Sequence, residues 1–396
     1  MSQRISTSKG VFLFASTIVG AGILALPVIA SKAGFFPLAA MIVVLAGVAS
    51  LSGLYIAESV LADSTDSHLP ALAQRHLGTW GVIAMLLGIA IYVYGALIGY
   101  LVAGGQIFHT LSRGAIPVWV GTLIYFAIGS LILHHGIVLI SRVNTYLMYV
   151  MLVLLGILIG MAAPRIQVPF LLRTSWSSTF DVFGVVMFAY LGHSVLPSIA
   201  LNLENRKRIV TVVCAGIALP CVLYLLWSMV VLGVVPAASE TGPSLGQARA
   251  TGQPATIPLG FLLGGSVILL GNVFAALSTV TSYIGLGVSL KDSYADLARQ
   301  RGRAIQNWVL TAIVVLPPLV VALRRPGAFV HTLDIAGTFG GGLFVGVLPV
   351  LIVMKLRRSG MPGEATTWGG NGLPWIVLAV YVAGMIYTVA KLAGAP

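Results

Sequence analysis

The sequence predicts an all-α polytopic membrane protein: eleven transmembrane helices in a five-plus-five inverted repeat, with the first and sixth helices broken. Three observations predict it. The 396 residues are 58% hydrophobic and only 8% charged, whereas soluble domains carry about 25% charged residues. Charge-free runs long enough to span a bilayer recur along the whole chain, and a span takes about 20 apolar residues. One glycine-proline pattern occurs twice, about half a chain apart.

The runs without Asp, Glu, Lys or Arg are 10–31, 33–57, 76–112, 114–141, 143–164, 182–203, 209–239, 250–290, 304–323, 335–354 and 365–390. The first follows a basic start and resembles a signal peptide. It is too long for a typical h-region and no clear cleavage site follows, so it reads as an uncleaved first span. The third and eighth exceed one span, which predicts tilt or extension beyond the bilayer. Between the second and third, "DSTDSHLPALAQRHLG" has room for a short interfacial helix. After the seventh, "PAASETGPSLGQARATGQP" reads as an irregular loop rich in Gly, Pro and Ser. Arg324, Arg325 and Pro326 separate the ninth from the tenth.

The net charge of +12 does not indicate nucleic acid, because the cations sit in short loops rather than in a basic stripe. Fourteen Lys and Arg fall on the N-terminal side of the spans and eight on the other. The excess predicts a cytoplasmic N-terminus and, with eleven spans, an external C-terminus. The expected location is the cytoplasmic membrane of a prokaryote. Cys214 and Cys221, seven apart in one apolar run, read as packing residues rather than a disulfide or metal site. There is no Walker motif, no GxGxxG after a strand and no zinc signature. That argues against an ATP-driven pump and a cofactor enzyme, and the few Asp, Glu and His residues are scattered without a catalytic constellation, so no enzyme is expected. No separate soluble domain is visible.

The repeated pattern is Gly-x-x-x-Leu-Pro, at Gly22 to Pro27 in "STIVGAGILALP" and at Gly192 to Pro197 in "FAYLGHSVLPSIALNLENRKR". Glycine-interrupted segments at matching positions in two halves point to an inverted-repeat carrier. The repeats are 1–163 and 164–358, with 359–396 an added helix. A broken helix frees backbone groups at the midplane, tolerable only where ligand, water or protein satisfies them. The N-terminal end of a half-helix suits a carboxylate. The carbonyl end suits an ammonium group or small cation. Glycines also serve close helix packing, so the twin, not either glycine alone, favours the break.

These stretches resemble the amino acid/polyamine/organocation transporter superfamily, and within it the aromatic and hydroxy amino acid permeases, relatives of the amino acid/auxin permeases. The likeness rests on "STIVGAGILALP", on the sixth-span stretch, on "ALSTVTSYIGLGVSLKDSYADL" (276–297) and, more loosely, on "AGTFGGGLFVGVLPVLIVMKLRR". It implies secondary transport of an amino acid with a cation. The backbone at Gly20, Ala21 and Gly22 would take the α-carboxylate. Carbonyls near Ser16 and in the Phe188–Tyr190 turn would take the amino group. Tyr190, Gly192 and His193 would line the site, and Ala96, Gly99 and Tyr100 would face it from the third span. Small Ala96, Gly99, Ala275 and Ala276 would leave room for an aromatic ring, although such residues also serve packing.

Two cations compete for coupling, and no other cofactor is expected. In sodium-coupled relatives a hydroxyl pair, here Thr281 and Ser282, meets first-helix carbonyls, here those of Ser16 and Val19, around one Na⁺. The closest subfamily is proton-driven by resemblance. His193 is the one titratable group beside the predicted break, and histidine changes charge in the right pH range; a neutral, hydrogen-bonded histidine is the plainer alternative. Asp334 reads as a helix start rather than an outer gate, and Asp181 as a first-turn acid of the sixth helix. The leading expectation is a proton-driven symporter of neutral, aromatic amino acids; the alternatives are a small neutral amino acid/Na⁺ symporter, a substrate-gated channel or a receptor.

Overall fold

The computed structural model describes residues 4–63, 69–135, 138–300, 302–360 and 369–394. The described residues form helices and their connecting loops, without strands; one isolated bridge joins Ile5 to Leu203. The helices are α1 (Thr7–Ile18), α2 (Gly22–Ile29), α3 (Phe35–Asp63), α4 (Leu69–Leu111), α5 (Val118–His135), α6 (Val138–Ala162), α7 (Val168–Leu172), α8 (Phe183–Ala189), α9 (Leu196–Asn202), α10 (Ile209–Val234), α11 (Leu245–Thr251), α12 (Thr256–Leu263), α13 (Gly265–Gln300), α14 (Asn307–Arg324), α15 (Phe329–Ile335), α16 (Leu348–Arg358) and α17 (Leu373–Leu392). A π-helical segment, Ala336–Val347, joins α15 to α16.

Among the described residues, nine helical stretches are long and apolar enough to cross a membrane, ten when the bent pair α1–α2 counts as one. The sequence expectation was eleven. The difference lies at the fourth run, where the described apolar helix is shorter than a full span.

The long runs resolve into pieces. The third is interrupted at Gly78, whose φ of 73° ends a short helical stretch before the span proper. That stretch, from Leu69, matches the short helix expected of the preceding segment. The eighth run divides at Gly264 (φ 100°) into α12 and α13. The loop read as irregular contains α11. Ser244 caps it by accepting from Gln247 N at 3.2 Å, and Gly252 ends it at φ 75°. The signal was present in the sequence as a Ser-x-x-Gln capping pattern followed by glycine.

Small residues set two groups of helices. Gly10 and Gly216 bring α1 against α10, and Gly53 brings α3 against α10. Gly104 and Gly105 seat α4 on Tyr125 and Thr122 of α5, while Gly129 seats α5 on Tyr283 of α13. Without a strong hydrophobic drive between helices in lipid, such close backbone approach supplies the packing energy.

Candidate functional site

Both glycine-marked segments are broken. Helix α1 stops at Ile18 because Val19 turns extended (φ −72°, ψ 93°), and α2 leaves at 52° to it. Helix α8 stops at Ala189; Tyr190 to Gly192 are non-helical, a short 3-10 turn follows at His193–Val195, and α9 resumes at Leu196. Each break exposes helix-end carbonyls on one side and helix-start amides on the other.

The two breaks cross each other reciprocally. A Cβ on Gly22 would lie 2.8 Å from Cα of Ala189, the last residue of α8. A Cβ on Gly192 would lie 2.6 Å from Cγ1 of Ile18, the last residue of α1. Tyr224 of α10 sits between them. Its hydroxyl is 2.9 Å from the Ile18 carbonyl and 2.7 Å from the Ala189 carbonyl. One proton serves two acceptors, so lone-pair density is left over where the two half-helices end.

A cavity of about 2240 Å³ reaches this junction. Its mouth lies on the N-terminal side, between Lys9, Arg75 and Arg299, and its inner end is formed by both breaks, α4 and α13. Four rings wall the inner end. Tyr92 stacks on Phe344 at 6.3 Å and tilts against Phe188 at 5.7 Å, and Tyr100 meets Phe188 edge-on at 6.4 Å. On the opposite side the junction is covered: Ala255 N donates to the Leu24 carbonyl at 3.1 Å.

Of the residues the sequence singles out, Ser16, Val19, Gly20, Ala21, Gly22, Tyr100, Phe188, Thr281 and Ser282 line this one cavity. Ser282 approaches the first break closely: a Cβ on Gly20 would lie 2.7 Å from its Oγ. The Tyr100 and Ser282 hydroxyls face each other. Ser16, Thr17 and Thr281 bond back to carbonyls of their own helices. Ala96, Tyr190, Gly192 and His193 lie behind the wall, outside the cavity lining. Tyr190 donates to the Ile42 carbonyl at 3.1 Å and packs on Tyr224. His193 is 1% exposed, with Nε2 2.9 Å from the Ala49 carbonyl and Phe14 edge-on to its ring. A carbonyl only accepts, so Nε2 carries the proton and ties the 3-10 turn before α9 to α3. Gly99 packs on Leu333, and Ala275 is fully buried outside the lining.

Sequence reasoning missed Tyr92, Tyr224 and Phe344. Tyr92 could have been found, since it stands two helical turns before Tyr100 on the same face. Phe344 and Tyr224 carry no local signal. Asp334 also corrects the reading: α15 starts at Phe329, so this carboxylate lies within the helix, 7% exposed, and does not cap its start.

Fold and site together define the class: an integral membrane protein with a large cavity that ends where two broken helices cross. The chain belongs to the tryptophan/tyrosine permease family, whose profile matches residues 3–388. It is 25% identical to the "Tyrosine-specific transport system 1" of Haemophilus influenzae, over 96% of this chain and 95% of that protein. It is 24% identical to a "Tryptophan-specific transport protein" of Pseudomonas aeruginosa (97% and 94% covered) and 26% identical to the "Low affinity tryptophan permease" of Escherichia coli (95% and 93%). The family is one of permeases, not enzymes.

Proposed function

We propose that this chain carries tryptophan or tyrosine across the bilayer by alternating access, as a symporter driven by a cation gradient. The observation that carries the reading is the junction of the two breaks with a wall of four rings at the inner end of one cavity. The amides at Gly20, Ala21 and Gly22, leading into α2, receive the α-carboxylate, where the helix dipole favours negative charge. Carbonyls at the ends of α1 and α8 receive the ammonium group. Tyr92, Tyr100, Phe188 and Phe344 receive the ring, since aromatic pairs gain about 0.5–1.5 kcal/mol beyond their burial. The names of the relatives favour the same substrates.

The architecture we propose has eleven spans, with α5 as the fourth, and inverted repeats 1–163 and 164–358 followed by the added helix α17. The reciprocal packing of Gly22 on Ala189 and Gly192 on Ile18 supports the pairing of the two halves. The N-terminus and the cavity mouth are cytoplasmic, on the balance of loop cations. For coupling, the proton reading keeps the lead. A sodium reading has one observation in its favour: Thr281 and Ser282 line the cavity, and Ser282 abuts Gly20.

The test is uptake of labelled tryptophan and tyrosine into proteoliposomes, competed by all twenty amino acids, with sodium removed and with the pH gradient collapsed. Tryptophan and tyrosine should compete best, and collapse of the pH gradient should abolish accumulation. Competition led by alanine or serine sinks the aromatic reading. Strict dependence on Na⁺, lost in Thr281→Ala, replaces the proton by sodium. Downhill leakage alone returns the chain to a channel.

A further inference from the structure

We propose that Asp334 is the group that binds and releases the coupled proton. The inference rests on the proton-driven reading above and assigns it a site that the sequence places elsewhere. Charged and polar groups from α17, α11, α15 and the 3-10 segment before α8 meet at Asp334 on the side opposite the cavity mouth. Lys391 of α17 bridges two carboxylates, 2.9 Å from Asp181 Oδ1 and 4.0 Å from Asp334 Oδ2. Tyr387 of α17 donates to Asp181 Oδ1 at 3.1 Å. Arg249 of α11 faces both carboxylates at longer range, and His331 of α15 lies near Lys391, Arg249 and Arg325.

The cluster is graded in exposure. The side chain of Lys391 is 35% exposed, that of Asp181 20% and that of Asp334 10%. Polar groups continue inward from Asp334: Thr338 Oγ1 lies 3.4 Å from Thr388 Oγ1, both buried. A proton from the outer solution therefore has a polar route to a buried carboxylate. A carboxylate at this depth is costly unless paired, and such groups mark proton relays. The pairing here is unequal. Lys391 contacts Asp181 directly and holds Asp334 only at 4.0 Å, so Asp334 can take a proton while the Asp181–Lys391 pair stays intact.

Asp334 is also placed to pass its state to the substrate cavity. Its carboxylate lies against the Gly184 backbone of α8, and one turn along, Gly337 of the π segment packs on the backbone of Gly184 and Phe188. Phe188 is the cavity wall. Ionised, Asp334 draws α15 towards Lys391 and keeps α8 closed against the π segment. On protonation, one carboxyl O–H forms and that attraction is lost, which frees α8 and α15 to part on the outer face. The same O–H breaks, returning the proton, once rocking turns the carboxyl towards the cavity. By contrast, His193 has Nε2 committed to the Ala49 carbonyl and sits outside the cavity.

The experiment is labelled-tryptophan transport by the purified full chain in proteoliposomes, as counterflow and as accumulation driven by a pH gradient. The native protein comes first: if it shows neither activity, the transport reading fails, separately from this proposal. Asp334→Asn should keep counterflow within about threefold of native and lose pH-driven accumulation. His193→Gln should keep both. Native accumulation in Asp334→Asn, or loss of accumulation with intact counterflow in His193→Gln, overturns the proposal. If Asp334→Asn does not fold, Lys391→Gln decides. Removing the ammonium should move the pH of half-maximal accumulation up by about one unit, and an unmoved profile overturns the assignment.

Discussion

Tyr224 concentrates the argument at the scale of single residues. Its hydroxyl is the only donor shown to both Ile18 and Ala189 carbonyls among the described residues, and the residue is fully buried. Tyr224→Phe keeps the ring and removes the hydroxyl. An unsatisfied buried acceptor costs about 1–3 kcal/mol. The variant should show a lower Tm and roughly tenfold weaker substrate binding, measured by scintillation proximity in detergent. Unchanged affinity would mean that the hydroxyl does not set the two helix ends. A second residue-scale expectation concerns Glu58 and Arg357. Their side chains are 7% and 8% exposed, paired at 2.7 Å, and the guanidinium also lies over the Tyr55 ring at 5.4 Å. Arg357→Met strands a buried carboxylate and should cost about 3–5 kcal/mol, while Glu58→Gln with Arg357→Met should recover much of that loss. Thermal unfolding of the three proteins checks it; equal losses in the single and double variants would deny the pair its coupling.

Among the elements, the broken helices matter most, and they were the most legible part of the sequence. Gly22 and Gly192 announce them because no side chain fits where each segment crosses the other: a Cβ on Gly22 meets the Ala189 backbone at 2.8 Å. Gly22→Ala should therefore push the halves apart, costing about 1–3 kcal/mol of strain and most of the transport rate while leaving the protein inserted. Uptake in vesicles against expression level reads this; native rates would mean that the crossing has slack. The π segment was less legible. Its glycines at 337, 340, 341, 342 and 346 look like packing glycines, and several are: Gly340 receives Tyr92, and Gly346 receives Tyr381. What composition does not disclose is the wider turn that brings Phe344 into the cavity, since π geometry is a tertiary choice often found at functional sites. His193 was misplaced for a similar reason. Sequence puts it next to the break, but which way a ring points depends on the Ala49 carbonyl of another helix. The apolar runs, being long and charge-free, fixed most spans; their subdivision at Gly78 and Gly264 depended on single positive-φ residues.

Across the whole molecule, the two broken helices are tied as one body. Ile5 N donates to the Asn202 carbonyl at 2.8 Å and Glu204 N to the Ile5 carbonyl at 3.0 Å, joining the start of α1 to the end of α9. Tyr224 joins their midpoints through α10. Under the proposed alternating access, such a body would move as a unit against α4, α5 and α13, rocking around a fixed site. The captured state has its cavity open on the N-terminal side and covered on the other, so accessibility should be one-sided. In a background with Cys214 and Cys221 replaced by Ala, Ser293→Cys lies in the cavity lining near the mouth, and Asp181→Cys lies in the outer cluster. A membrane-impermeant maleimide should label Ser293→Cys from the N-terminal face, and tryptophan under a pH gradient should slow that labelling several-fold as the bundle rocks closed. Asp181→Cys should react from the opposite face and faster under the same conditions. If substrate changes neither rate, the bundle does not rock and the cavity is static. Labelling of Ser293→Cys from the outside of intact cells, with Asp181→Cys protected, would invert the orientation drawn from the fourteen-to-eight cation balance while leaving the transport cycle in place.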